Sequence, residues 1–308
     1  MLGALREVLY YSYWSKESDI LMSISPWDLR RKTFPGHADV NQLIGVADAA
    51  HRFGFESTQK WALEILEELF KDPTNEFLVA CSDDAFGRLC GLYILVEQDS
   101  MLARTLKKWS RAIEDSAQTG LNHLDELKAT EREVAGLEFA EGYHHHRHVR
   151  SFQVGIYYTL SLRVSHHWNG GYTGSFSDIA LALGLNHTHA TRMLVGHFNM
   201  THYWLHLRRN PPTLDRIDPG CLPAAHDADC RPKWEAIWAD LSQPWAEPLN
   251  LNPVQPMSNL THIKSQISSF RYAPEELPFC VSKIPNAITA QAEKVKSELA
   301  NFFLGAPV

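Results

Sequence analysis

The residue types best able to do chemistry gather in two stretches. Cys221, His226 and Cys230 follow one another as C-x4-H-x3-C. Thiolate sulfur and imidazole nitrogen are ligands that suit zinc, and a four-coordinate ion would need one more from elsewhere in the chain. The spacing matches no familiar finger. Its bland counterpart is a Cys230 half-buried beside Trp234 and Trp238, whose i, i+4 spacing puts both indoles on one helical face. The second stretch is histidine-rich. Of the 16 histidines, His144, His145, His146, His148, His166, His167, His187, His189, His197, His202 and His206 fall within about sixty residues. Imidazole binds transition metals, but three consecutive histidines diverge around a helical turn and cannot share one ion. No HExxH accompanies them, and no carboxylate adjoins the run to complete a facial triad. A solvated polar loop is the expected reading.

The same stretch is locally basic. Residues 144–210 hold Arg147, Arg150, Arg163, Arg192, Arg208 and Arg209 against Asp178 as the sole acid. Within it, SFSDIALALGLNHTHATRML (175–194) has the pattern of a helix-turn-helix. Ile179 and Ala180 sit in the first helix, Gly184 at the turn, and Ala190 and Met193 on the inner side of the second. The second helix would offer His187, Thr188, His189, Thr191 and Arg192 to a DNA groove. Against this reading, any two short helices joined at a glycine look alike, and the offered face has a single arginine. Enzymatic signatures are missing. There is no GxSxG, no P-loop, no GxGxxG and no protease-type cysteine motif. A non-enzymatic protein without a cofactor is expected.

Bulk composition narrows the setting. A hydrophobic share of 44% and a charged share of 21% are ordinary for a globular chain of 308 residues. The net charge of −7 opposes a general nucleic-acid or anionic-membrane role, because no overall basic field would steer the chain there. Cys81, Cys90, Cys221, Cys230 and Cys280 are odd in number and irregular in spacing, unlike a disulfide framework. A reducing compartment, cytoplasm or nucleus, is therefore expected. The first residues carry Arg6 and Glu7 within their apolar stretch, which makes a poor signal peptide. No run reaches membrane-spanning length.

The elements that must position these residues read as helices, and an all-α array is predicted. LGALREVLYY (2–11) is a short amphipathic helix. Asp39 would cap VNQLIGVADAAHRF, whose Leu43, Ile44, Val46, Ala47 and Ala50 share an apolar face, and Gly54 would end it. Ser57 would cap STQKWALEILEELF, with Trp61, Ile65, Leu66 and Leu69 buried and Asp72-Pro73 as its stop. Further helices are expected over residues 76–113 and 121–142. VRSFQVGIYYTLSLRV (149–164) fits a helix or a buried strand. Helices follow at 176–184 and 187–198. Beyond residue 211 prolines recur, and only 231–241, 259–270 and 286–303 look helical. The implied divisions are 1–72, 73–142, 143–210 and a proline-broken 211–308.

The order of helix, irregular loop and VNQLIGVADAAHRFGFESTQKWALEILEEL resembles the last three helices of a BTB/POZ domain of the divergent fungal type. The matching residues are Leu9-Tyr10, then Leu43, Ala47, Phe53 and Phe55, then Trp61, Ala62 and Leu66. FLVACSDDAFGRLCGLYILVEQDSMLARTLKKW resembles the helical extension that follows such domains, and HDADCRPKWEAIW a C-terminal motif frequent in them. The resemblance implies a protein-interaction adaptor in ubiquitin-ligase or transcriptional complexes, with a cullin-type scaffold among its partners. The partner surface would include Tyr10, Tyr11 and Trp14. The strand–helix–strand half that carries much of the usual dimer interface has no counterpart here, so dimerisation by that route is not expected.

Overall fold

The computed structural model describes residues 40–71, 81–119, 130–169, 176–214, 221–243, 252–268 and 280–305. It is helical throughout, with no strand among the described residues. The chain forms two compact units, Met1–Cys81 and Ser82–Val308.

In the first unit, α1 (Val40–Arg52) pairs with α2 (Glu56–Lys71). Apolar residues at helical spacing supply the contact. Leu43, Ile44, Ala47 and Ala50 of α1 and Ala62, Leu63 and Leu66 of α2 are buried. Gly54 makes the turn with φ +71, a conformation that costs glycine no Cβ clash. The second helix starts two residues earlier than a cap at Ser57 would put it, so Ser57 lies inside the first turn and the Phe55 carbonyl accepts the Gln59 amide. Phe53 and Phe55 face outward. Asp39, the expected cap of α1, lies outside the described residues, as do the helix expected at 2–11 and Tyr10, Tyr11 and Trp14.

The second unit opens with α3 (Asp83–Leu95), α4 (Asp99–Thr119), α5 (Glu131–Gly142) and α6 (Arg147–Asn169). The segment at 149–164 that fitted either helix or strand is helix. Aromatic contacts hold it in place. Phe152 meets Trp109 of α4 at 5.0 Å between ring centres, and Trp109 stacks on Phe86 of α3 at 5.6 Å. The Trp109 indole N–H donates to Asp83 at 3.0 Å, so its one polar group is satisfied in the core.

Then come α7 (Phe176–Leu183), α8 (His187–Arg209), α9 (Arg231–Leu241), α10 (Pro256–Ser268) and α11 (Ile284–Leu304). The prolines beyond residue 211 do more than break the chain. Pro232, Pro256 and Pro285 stand in the first turns of α9, α10 and α11, where a missing N–H costs nothing and a fixed φ suits the helix. These helices share one core with α8. Trp204 and Leu207 pack with Trp234, Ile237 and Trp238, with Leu260 and Ile263, and with Ile284 and Ile288. No described helix is long and apolar enough to cross a membrane.

Candidate metal centre

Leu222 opens a short helical turn, Pro223–Ala225, that widens into a π-helix over His226–Cys230 before α9 begins. The wide turn brings His226 and Cys230 toward Cys221, which precedes it. A fourth residue arrives from far along the chain. Cys280 lies immediately before the 3-10 turn Val281–Lys283 that leads into α11, and its carbonyl accepts the Lys283 amide at 2.9 Å.

The four side chains converge. Cys221 Sγ lies 3.7 Å from Cys230 Sγ and 4.0 Å from His226 Nδ1, and Cys280 Sγ lies 3.5 Å from the same nitrogen. All four ligand atoms fall within 4.8 Å of one another. With zinc bonds of about 2.3 Å to sulfur and about 2.0 Å to nitrogen, a tetrahedral ion spaces sulfurs by roughly 3.8 Å and a sulfur–nitrogen pair by roughly 3.6 Å. The Cys221–Cys230 and Cys280–His226 separations match that geometry, and the Cys221–His226 separation and the 4.8 Å span of the set are somewhat wider than a bound ion would hold them. They do not fit a disulfide, whose sulfurs stand about 2.05 Å apart, and all five cysteines are free thiols.

The surroundings are dry. Cys280 is 0% exposed, Cys230 1%, Cys221 7% and His226 8%. Burial pushes the Cys221 thiol up to about 12, and sulfur hydrogen bonds with Cys280 and Cys230 act in the same direction. A divalent cation reverses that preference, because it binds the thiolates and releases their protons. Four protein ligands at a closed site leave no open position for water or substrate. That is the pattern of a structural centre rather than a catalytic one.

Three of the four residues were singled out by type and spacing. Cys230 is fully buried rather than half-buried, because its sulfur belongs to this cluster. The tryptophans beside it do share a face, with ring centres 5.5 Å apart, and both donate N–H bonds to backbone carbonyls. Cys280 was missed. Nothing local marks it; the coordination number of zinc asks for a fourth ligand without saying where in the chain it lies.

The histidine run occupies the turn between α5 and α6, and among the described residues it joins no group of metal-capable ligand atoms. His144 donates to the Glu141 carbonyl at 3.0 Å, and His146 to the Asp99 carboxylate at 3.2 Å. The helical corner at 176–194 is formed, with Gly184 at φ +66 and Ile179, Ala190 and Met193 buried. Its second helix runs on to Arg209 rather than ending near 198. His187, Thr188 and Thr191 are exposed, but Arg192 forms an ion pair with Glu141 of α5. His189 is buried, its Nδ1 2.7 Å from the Tyr157 hydroxyl. Arg163 pairs with Glu133 and Arg147 with Asp99, so much of the local positive charge is met by acids on α4 and α5.

No protein-family model, curated protein or solved structure matches the chain.

Proposed function

We propose that the chain is a non-enzymatic protein-interaction protein whose C-terminal helices are organised by a structural zinc ion on Cys221, His226, Cys230 and Cys280. The observation that carries this is the closure of four buried ligand atoms within 4.8 Å. Chance seldom gathers three thiols and an imidazole, because burying them together strands weak donors in a dry pocket. A shared cation explains the arrangement.

The ion would act as a clamp. It ties the start of α9 to the start of α11 across the intervening α10, and so holds three helices on the end of α8. The adaptor part of the proposal rests on the BTB-like order of the first 72 residues and on the apolar pairing of α1 with α2, where Leu43, Ala47, Ala62 and Leu66 are buried. On this reading the helices are a scaffold for non-covalent contacts, with cullin-type or transcriptional complexes as the implied setting.

The test is metal content. Untagged protein purified without added metal should hold one zinc per chain by plasma mass spectrometry. Cys280→Ser should lower that occupancy, and Cys90→Ser, at a buried cysteine outside the cluster, should leave it intact. A folded wild-type chain that carries no metal and gains none on zinc addition would overturn the metal centre.

A further inference from the structure

The outward face of α8 is unusual for a helix of this length. A surface helix ordinarily carries charged and polar residues on the side away from its core. Between Thr188 and His206 none of the exposed residues of α8 is an acid, a lysine or an arginine. In their place stand Val195, 48% exposed, Phe198, 61%, and Leu205, 41%, with the exposed His202 among them. Three of the seven large apolar side chains that reach solvent among the described residues therefore fall on one face of one helix. Apolar surface gathered in this way marks an interaction site, whereas single exposed residues do not.

The spacing of the stripe is self-complementary. Thr191, Val195, Phe198, His202, Leu205 and Arg209 follow one another at steps of four, three, four, three and four residues. Such alternation is the seam of two helices wound at a shallow left-handed angle. The steps also read the same in both directions about Met200. A second α8 running the opposite way therefore sets Val195 against Leu205, Phe198 against His202 and Thr191 against Arg209, each pair repeated across a two-fold axis. The Phe198 and His202 rings already lie nearly parallel, 6.2 Å apart, and steady each other at the centre of the seam.

We propose that two copies of this chain pair antiparallel through the outward face of α8. Charge selects both the face and the direction. A chain of net charge −7 repels its copy overall, and on this stripe no carboxylate opposes approach. A parallel pair would bring Arg209 beside Arg209 and align the two helix dipoles. The antiparallel pair separates the arginines by the length of the seam and sets the dipoles in opposition. A membrane surface or nucleic acid would want lysines and arginines along the stripe, where Arg209 alone stands at one end. Area sets the strength. From Thr191 to Arg209 the seam is about 27 Å long, and a strip about 11 Å wide on each copy comes to roughly 600 Å². Standard stable interfaces bury about 1,200–2,000 Å², so the pair is weak and forms as concentration rises. No metal ligand lies on α8, and the pairing does not depend on the metal centre.

Sedimentation equilibrium of the full chain tests this. Between about 5 and 300 μM the mass should rise from one chain toward two, as a contact this small requires. Phe198→Glu alters a ring that is 61% exposed and so spares the core. It should weaken association at least tenfold, with circular dichroism confirming the fold. Val195→Glu should do the same, because it sets a carboxylate against Leu205 of the second copy. Adding Leu205→Lys to Val195→Glu should restore association to within about threefold of wild type. In the antiparallel pair each introduced carboxylate faces an introduced ammonium, whereas a parallel pair would oppose like charges. A chain that stays single over the whole range overturns the antiparallel pair. So does a Phe198→Glu variant that associates like wild type, a double variant no better than Val195→Glu alone, or a mass that climbs past two chains.

Discussion

Gly196 of α8 faces Phe303 of α11. A Cβ built there would lie 1.9 Å from Cδ1 of Phe303, a ring that is 2% exposed and stacked on Tyr157. Alanine is the better helix former by about 1 kcal/mol, so a free surface would reward Gly196→Ala. Overpacking costs about 1–3 kcal/mol and should cancel or reverse that gain, leaving a net loss of up to about 2 kcal/mol in urea unfolding. Phe303→Leu in the same background should recover part of it; a stabilised Gly196→Ala protein would show that the helices do not meet there. The adjacent His197 is a second sensitive point. It is 6% exposed, and burial pushes its pKa down to about 4, against a smaller opposing effect of the Ser161 backbone. The folded value lies below the ordinary value of about 6.5, so the unfolded chain binds the proton more readily. Stability from this group is complete above about pH 6.5 and is lost as pH falls toward 4, by about 2 kcal/mol between pH 7 and 5. His197→Leu should flatten the pH dependence of unfolding over that interval by a similar amount, and parallel profiles would remove His197 as a cause. His189, also buried and held down mainly by desolvation, should add to the slope in the same direction. At this scale the sequence told residue types and little about their company. The arginines of 144–210 looked like a basic surface because their acids, Asp99, Glu133 and Glu141, lie outside that stretch.

Helices were more legible than their contacts. The run 231–241 was read from spacing with the bounds the structure gives α9, and α10 and α11 lie within three residues of their expected limits. The reason is that apolar spacing and proline act locally, and both survive without knowledge of neighbours. The aromatic-rich 149–164 was ambiguous because a helix buried by several partners shows no clean period. The start of α5 illustrates a signal that apolar spacing passes over. Thr130 and Glu133 form a capping box: the Thr130 hydroxyl accepts the Glu133 amide at 3.2 Å, and the Glu133 carboxylate accepts the Thr130 amide at 2.8 Å. Glu133 is fully buried and also pairs with Arg163 of α6. The two halves of the box should therefore differ in cost. Thr130→Ala removes a cap, worth about 1 kcal/mol. Glu133→Ala leaves the half-buried Arg163 without this counter-ion, which should cost more than the cap, toward the low end of about 3 kcal/mol for breaking a buried pair. Thermal or urea unfolding of both variants decides it, and equal costs would mean that the ion pair contributes nothing beyond the cap.

With zinc bound as proposed, the metal centre and the tryptophan core would divide the task of holding α9, α10 and α11. The apolar cluster needs those helices in place before it can form, and the long connections between them resist that order through chain entropy. A cation bound by Cys221, His226, Cys230 and Cys280 would oppose this entropy by closing the loop that contains α9 and α10. The fold around α3–α6 rests on a different set of contacts, centred on Trp109, Phe86 and Phe152. Metal removal should therefore act regionally. A strong chelator should lower the unfolding temperature, and hydrogen exchange should quicken in α9 and in the first turns of α11, with α3, α4 and α6 keeping their protection. Added zinc should restore both, and Cys280→Ala should mimic the chelator while becoming insensitive to it. Loss of protection spread evenly over the unit would instead mean that the ion sustains the whole helical array. Unchanged exchange after proven metal loss would mean that the tryptophan core holds α9 and α11 unaided.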